Sequence, residues 1–236
     1  MKVRLLLTCL CDAFYGEVGI ATVRVLEHAG CEVTFPDSQT CCGQPPFNNG
    51  DWKTAKAVAE RCKSVFQGDA PIITPSSSCA AMLRDGYKNL FPKDAAMPVF
   101  ELSEFLLKQI GIEHWPLHGN ANGKPITVAF HRACHGRALG LDDTQERALS
   151  LLQNVSLIPI SDPEQCCGFG GSFSITQPNL SAEIGAEKLR RIGEAKPDLL
   201  VSGDMGCLMH LKSLMNKCAI NLQTKHYAQL LSEAIP

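Results

Sequence analysis

Two pairs of adjacent cysteines, Cys41-Cys42-Gly43 and Cys166-Cys167-Gly168, each follow an earlier cysteine, Cys9 and Cys134, by the same 32 residues. Downstream the intervals nearly agree again, with Cys79 lying 37 residues after Cys42 and Cys207 lying 40 after Cys167. A repeat of this kind constrains a fold more than local propensity does, because it requires one supersecondary unit to be built twice. The two copies are expected at 1–113 and 125–236. A linker is expected over 114–124, where Pro116, Gly119, Asn120, Asn122 and Gly123 interrupt any periodicity.

Each copy has its own strand and helix pattern. Apolar runs at 3–8, 71–74, 126–131 and 199–202 lead into Cys9, Cys79, Cys134 and Cys207, and each reads as a buried strand. Spaced apolar positions with charges between them predict helices over 16–29, 52–67, 77–90 and 101–110, and again over 143–153, 180–193, 205–216 and 225–233. Strands alternating with helices predict an α/β fold of two tandem, pseudo-symmetric Rossmann-like modules with mainly parallel sheets. Sites in such sheets form beyond the carboxyl ends of the strands. Cys9, Cys79, Cys134 and Cys207 fall there, so the cysteines of each half can converge.

The composition says what such convergence is for. Twelve cysteines among 236 residues are unusual, and the opening residues meet Cys11 and Asp12 too soon for a secretory signal. No apolar stretch is long enough for a membrane helix. A cytoplasmic, reducing setting is therefore expected, where clustered cysteines point to metal or redox chemistry rather than disulfides. Vicinal pairs also make poor disulfide partners. Each half offers four thiols: Cys9, Cys41, Cys42 and Cys79, then Cys134, Cys166, Cys167 and Cys207. Gathering four thiolates is costly unless a cation neutralises them, which an iron–sulfur core or Zn(II) would do. Zinc is the rival, although sulfur-only zinc sites usually draw on CxxC knuckles, and the sequence has none.

Neighbouring residues add to each site. Gly43 and Gly168 let the backbone turn N–H groups toward sulfur, and Cys79 and Cys207 open helical segments whose positive ends favour thiolate. Sliding the strands by their apolar pattern pairs Cys11 with Cys134, whereas the interval to the double cysteine pairs Cys9 with it, so Cys11 stands as neighbour or alternate. His131, Arg132, His135 and Arg137 surround Cys134. They are candidates for hydrogen bonds to sulfur, for a substrate carboxylate or for a partner ion pair, and equally for ordinary surface or capping roles. Cys31, Cys62 and Cys218 lie outside the pattern and read as small buried hydrophobes.

Other function classes find little support. Lys plus Arg is 22 against 24 Asp plus Glu, a net charge of −2, and no basic run offers a track for nucleic acid. A GxGxxG loop directly after a strand and a Walker-type Gly-Lys-Ser/Thr are both missing, which argues against nucleotide binding. No Ser-His-Asp order or paired-carboxylate spacing stands out, so no catalytic residue is assigned.

With these residues in view, the chain resembles the CCG cysteine-rich domain family, which includes the cysteine-rich subunit of heterodisulfide reductase and the glycolate oxidase iron–sulfur subunit. A chain of only two modules, with Thr8-Cys9-Leu10-Cys11-Asp12, Gln39-Thr40-Cys41-Cys42-Gly43-Gln44-Pro45 and Pro75-Ser76-Ser77-Ser78-Cys79, is most similar to the lactate-utilisation A family. Its opening Thr-Cys-Leu favours Cys9 over Cys11. The heterodisulfide reductase relative carries CxxC at each distal station, where this chain has Ser76 and Asp204. Each half thus lacks a fifth thiolate, which favours one 4Fe–4S cubane per module, with zinc as a substitute and Asp204 as an extra oxygen ligand. The resemblance implies an electron-transferring subunit in the oxidation of L-lactate, a 2-hydroxyacid, to pyruvate, working with a ferredoxin-type iron–sulfur subunit and a third subunit. Two other readings are a zinc-stabilised adaptor that docks a dehydrogenase and a thiol–disulfide reductase of heterodisulfide-reductase type.

Overall fold

The computed structural model describes residues 1–113, 124–141 and 143–236. The expected linker lies outside the described residues except for Lys124. The chain divides into two compact units, Met1–Ile112 and Glu113–Pro236.

The first unit runs β1 (Lys2–Leu5), α1 (Cys9–Phe14), α2 (Gly16–His28), β2 (Glu32–Thr34), α3 (Gln44–Asn48), α4 (Trp52–Val65) and β3 (Ile72–Thr74). There follow α5 (Ser77–Ala81), a π-helical turn over Met82–Gly86, α6 (Tyr87–Leu90), β4 (Val99–Glu101) and α7 (Leu102–Glu104), which continues as a second π-helical turn, Phe105–Ile110. The second unit runs β5 (Ile126–His131), α8 (Cys134–Ala138), α9 (Thr144–Ser150), β6 (Val155–Ile158), α10 (Phe173–Thr176) and α11 (Pro178–Ala195). It finishes with β7 (Leu199–Ser202), α12 (Met205–Lys217), β8 (Gln223–His226) and α13 (Tyr227–Glu233). The order of strands and of the cysteine-bearing helices corresponds between the two.

Each unit builds one four-stranded parallel sheet, ordered β2-β1-β3-β4 and β6-β5-β7-β8. The chain steps from the central strand β1 to β2 on one side, then returns past β1 to β3 on the other. This reversal opens a crevice at the carboxyl ends of β1 and β3, and likewise of β5 and β7. The inner strands are buried on both faces, as Ile72-Ile73-Thr74 and Leu199-Leu200-Val201-Ser202 show, which is why they read as continuous apolar runs. Helices lay one stripe on the sheet. In α2 the buried residues Val18, Ala21, Thr22, Val25 and Leu26 recur at helical spacing. Each fully buried Val, Leu or Ile contributes roughly 1.5–3 kcal/mol.

The sequence pattern does not single out β2, β4, β6 and β8. These are edge strands of three or four residues, and β2 and β8 expose Glu32 and Gln223, so their apolar signal is short and diluted. The expected helix over 101–110 differs for a related reason. Glu101 still belongs to β4 and then caps α7, its carboxylate accepting from Ser103 N at 2.8 Å.

Candidate metal centres

In the first unit three loops meet at the carboxyl ends of β1 and β3. The Thr8 hydroxyl caps α1 by accepting from Cys11 N at 3.1 Å, so Cys9 begins the helix directly after β1. The loop after β2 is drawn back over β1 by Gln39, whose side chain accepts from Leu7 N at 2.9 Å and donates to Leu5 O at 3.3 Å. It delivers Cys41 and Cys42. Gly43 then takes φ +89°, in the left-handed region, and aims its N–H at Cys41 Sγ from 3.4 Å. Ser76 caps α5 by accepting from Cys79 N at 3.3 Å, which sets Cys79 in the first turn. From behind, the buried Tyr87 hydroxyl donates to Cys42 O at 3.1 Å.

The four thiols form a connected set. Cys42 and Cys9 donate to Cys41, which with the Gly43 and Cys42 amides holds the Cys41 thiol down at about 2. The donors shift in the opposite direction: Cys9 is pushed up by its bond to Cys41 and by burial, and Cys42 by its contacts with Cys41 and Cys79 and by burial. One thiolate is thus stabilised by protonated neighbours. Ionising the rest requires a cation among them.

The second unit repeats the plan with different clamps. Cys134 opens α8 after β5. The loop before Cys166 is held by Lys188 Nζ, which donates to Asp162 O at 3.3 Å and Pro163 O at 3.0 Å, and by Arg137, which donates to the Glu164 carboxylate at 2.9 Å and carbonyl at 2.8 Å. Gly168 has φ +89° and donates to Cys166 Sγ at 3.3 Å, while Phe169 N donates to Cys167 Sγ at 3.5 Å. Asp204 caps α12, its Oδ1 accepting from Gly206 N at 3.2 Å, and Cys207 sits in the first turn. Cys134 and Cys167 donate to Cys166 and, with the Gly168 amide, bring it down to about 2. Cys167 Sγ lies 2.9 Å from Cys207 Sγ. Cys134 is pushed up by its bond to Cys166, by burial and by the charges of its neighbours, Asp204 among them.

All eight patterned cysteines are thiols rather than disulfides, and each set of four is linked by these contacts. Cys9, not Cys11, occupies the place that Cys134 holds, at the first position of the helix after the central strand; Cys11 is buried one step further along α1. Ser76 and Asp204 both serve as helix caps. Arg132 pairs with Glu146 at 2.7 Å and Arg137 with Glu164, so both guanidiniums already have partners within the unit. His135 Nδ1 lies 3.7 Å from Cys134 Sγ.

One residue departs from expectation and two are placed more closely. Of the alternatives for His131 the surface role falls away: at the end of β5 it is 1% exposed. Cys218 is exposed at the carboxyl end of α12 instead of buried. Cys62 is fully buried, but it lies behind the first thiol set, close enough for Cys79 and Cys41 to raise it to about 11 after burial has done most of the work and Tyr87 has offset part. A fourth residue was not anticipated at all. Lys188 is 0% exposed, and burial brings its ammonium down to about 8. The available signal was its place on the buried stripe of α11, with Ser181, Gly185, Leu189 and Ile192.

These donor sets fit a thiolate-bound metal or iron–sulfur group. Each crevice gathers four sulfurs and backbone N–H groups, and the second adds a buried ammonium that offsets thiolate charge. Cys9, Cys134 and Cys166 are exposed residues, so each thiol set has a member at the surface of its unit.

The cysteine-rich domain family CCG matches residues 3–84 and 128–212, one copy in each unit. Lactate utilization protein A of Geobacillus kaustophilus is 38% identical over 98% of this chain and 99% of its own length. The protein of that name from Geobacillus thermodenitrificans is 37% identical over 98% and 99%, and lactate utilization protein A 2 of Bacillus cereus is 35% identical over 100% and 99%. Among solved structures, allantoin racemase from Pseudomonas fluorescens aligns at a TM-score of 0.32 and 12% identity, covering 98% of this chain and 88% of that one.

Proposed function

The chain belongs to the CCG cysteine-rich domain family and, within it, to the lactate utilization A proteins, and on that premise we propose that it is the iron–sulfur subunit of a system that oxidises L-lactate to pyruvate. In this reading Cys9, Cys41, Cys42 and Cys79 hold one 4Fe–4S cluster, and Cys134, Cys166, Cys167 and Cys207 hold another. The observation that carries it is the convergence of four thiols, linked in a chain of pairwise contacts, at the switch point of each sheet. When bound, such a cluster supplies one-electron chemistry at a potential set by its charge, hydrogen bonds and exposure.

The chain's own residues supply the rest. Gly43 and Gly168 turn amides onto sulfur, Gln39, Tyr87, Lys188 and Arg137 hold the double-cysteine loops, and exposed Cys9, Cys134 and Cys166 leave an edge open to a redox partner. Conversion of lactate to pyruvate releases two electrons and two protons. The sequence has no glycine loop for a nicotinamide or flavin, so in this reading the chain carries electrons between a ferredoxin-type iron–sulfur subunit and a third subunit in the cytoplasm. No helix among the described residues is long and apolar enough to cross a membrane. A second reading, zinc in the second module of a docking adaptor, is favoured by one observation: a histidine stands beside its sulfurs.

The test is iron, zinc and acid-labile sulfide per chain, with a visible spectrum, on protein purified without oxygen. About eight irons and eight sulfides are expected for two cubanes, whereas zinc without sulfide would refute the electron-transfer reading. Cys42→Ser should lose about half of the iron and sulfide, and Cys218→Ser, on the exposed end of α12, should lose none. Equal losses from both would overturn the ligand assignment.

A further inference from the structure

The two thiol sets are alike, but what stands behind them is not. Three residues before Cys134, at the carboxyl end of β5, is His131; three residues before Cys9 is Leu6. Both side chains are 1% exposed. The imidazole is therefore no requirement of the fold, because its counterpart position is filled by an aliphatic chain in the same sheet geometry.

His131 is also chemically unfinished. Neither Nδ1 nor Nε2 has a hydrogen-bond partner among the described residues, although a buried polar group without a partner is costly. Its backbone is engaged, since Ser202 Oγ donates to His131 O at 3.0 Å, which fixes the end of β5 against β7. A ring nitrogen of His131, Cys167 Sγ and Cys207 Sγ all lie within 4.8 Å of one another. Buried there with both ring nitrogens unpaired, the imidazole has a lone pair to give a metal. Among the described residues the other buried histidine at a strand end, His226, has a structural role that His131 lacks: its Nδ1 accepts from Ala228 N at 3.2 Å and caps α13.

We infer that His131 is a direct ligand of the metal centre in the second module, making that site a mixed thiolate–imidazole one while the first is ligated by thiolates alone. The inference rests on the reading that the thiols of Cys134, Cys166, Cys167 and Cys207 hold a metal, and it applies to iron or zinc. Ligation satisfies one ring nitrogen and fixes the proton on the other. Lys188 reinforces the difference between the modules. A Cβ on Gly43 would meet Ala55 O and Val58 Cβ, and one on Gly168 would meet Ser181 O and Ile184 Cβ, so α4 and α11 correspond, with Cys62 in the place of Lys188. A site with a neutral ligand replacing or joining thiolate, next to a buried ammonium, carries less net negative charge than its twin.

The experiment uses the full chain carrying Cys42→Ser to disable the first site, stripped of metal, reduced, and titrated with Co²⁺ alone. Thiolate-to-cobalt absorption reports sulfur ligation, and electron–nuclear hyperfine spectra on chain labelled with ¹⁵N in histidine report imidazole. The expected result is one Co²⁺ with sulfur absorption and a directly bound ¹⁵N. In His131→Leu that nitrogen signal is lost and Co²⁺ binding weakens at least tenfold, while in His135→Asn the signal stays. Absence of the nitrogen signal from the His131-containing chain, which needs no further variant to fold, overturns the inference. So does a signal that survives His131→Leu and disappears in His135→Asn. Unaltered Co²⁺ binding after Cys167→Ser overturns the thiolate site itself, a failure of the underlying reading that the nitrogen signal does not mimic.

Discussion

Replacing Lys188 by methionine should stabilise the metal-free protein while weakening its hold on metal. The ammonium is completely buried, and burial moves it from 10.5 to about 8. At about 1.4 kcal/mol for each tenfold change in proton affinity, carrying that charge costs the fold about 3 kcal/mol at pH 7. Methionine keeps the length and apolar stem of lysine. It gives up the bonds to Asp162 O and Pro163 O, at a cost of about 1 kcal/mol because Asp162 is exposed and water can replace the donor. The net expectation is a second unit about 2 kcal/mol more stable at pH 7 in the reduced, metal-free chain. The sign of the pH dependence follows from the lowered value: the folded chain releases this proton near 8 and the unfolded chain only near 10.5, so the penalty is complete below pH 8 and fades as pH rises toward 10.5. The advantage of the variant over the parent should therefore fall to near zero at pH 10. Urea unfolding followed by circular dichroism, with the second unit's transition identified by hydrogen exchange in β5 and β7, measures both values. A variant less stable than the parent at pH 7, or an advantage that does not change with pH, would refute the reasoning.

Two further outcomes are expected. Gly168→Ala should destabilise by about 2–4 kcal/mol and Gly43→Ala by about 1–2 kcal/mol, because both need positive φ but a methyl at 168 also drives into Ser181 O and Gly185 N, where the first site offers only the Ala55 carbonyl at 3.1 Å; thermal unfolding ranks them, and the reverse order would contradict the geometry. In the reduced, metal-free chain at pH 5.5, where an ordinary thiol is thiolate at about one part in 10³, iodoacetamide should modify Cys166 well before Cys134, since both are exposed but Cys166 is lowered to about 2 and Cys134 is raised; its thiolate is lost only as pH falls through that lowered value, and peptide mass spectrometry reads the order.

How much of this was legible depends on what each residue had to do. The inner strands and the thiol stations could be read directly. Ile72-Ile73 and Leu199-Leu200-Val201 are apolar on both faces because both faces are covered, and a cysteine must follow them closely because the crevice lies at the strand ends. Edge strands could not be read as well, since Gln223-Thr224-Lys225-His226 is a strand by virtue of its pairing with β7 and not by its own pattern. The π-helical turns at Met82–Gly86 and Phe105–Ile110 leave no periodic mark either. At the site, the spacing brought out the sulfurs and their glycines, and the strand ending at His131 set that residue beside Cys134, whereas Lys188 and Cys62 act from behind through burial. Polar residues carry no sign of burial in composition. Only the helical stripe of α11 put Lys188 on the inner face, and only the match of Leu6 to His131 marks the latter as optional.

Each parallel sheet draws all four of its strands from its own half, the first being complete by Glu101 and the second not starting until Ile126. During synthesis the chain therefore emerges from the ribosome as one finished layer before the first strand of the next exists. Eight thiols with nearly the same local surroundings would otherwise offer many wrong combinations, such as Cys9 with Cys166. Vectorial synthesis presents them four at a time, and order of appearance keeps apart two sets that resemble each other too closely for sequence to do so.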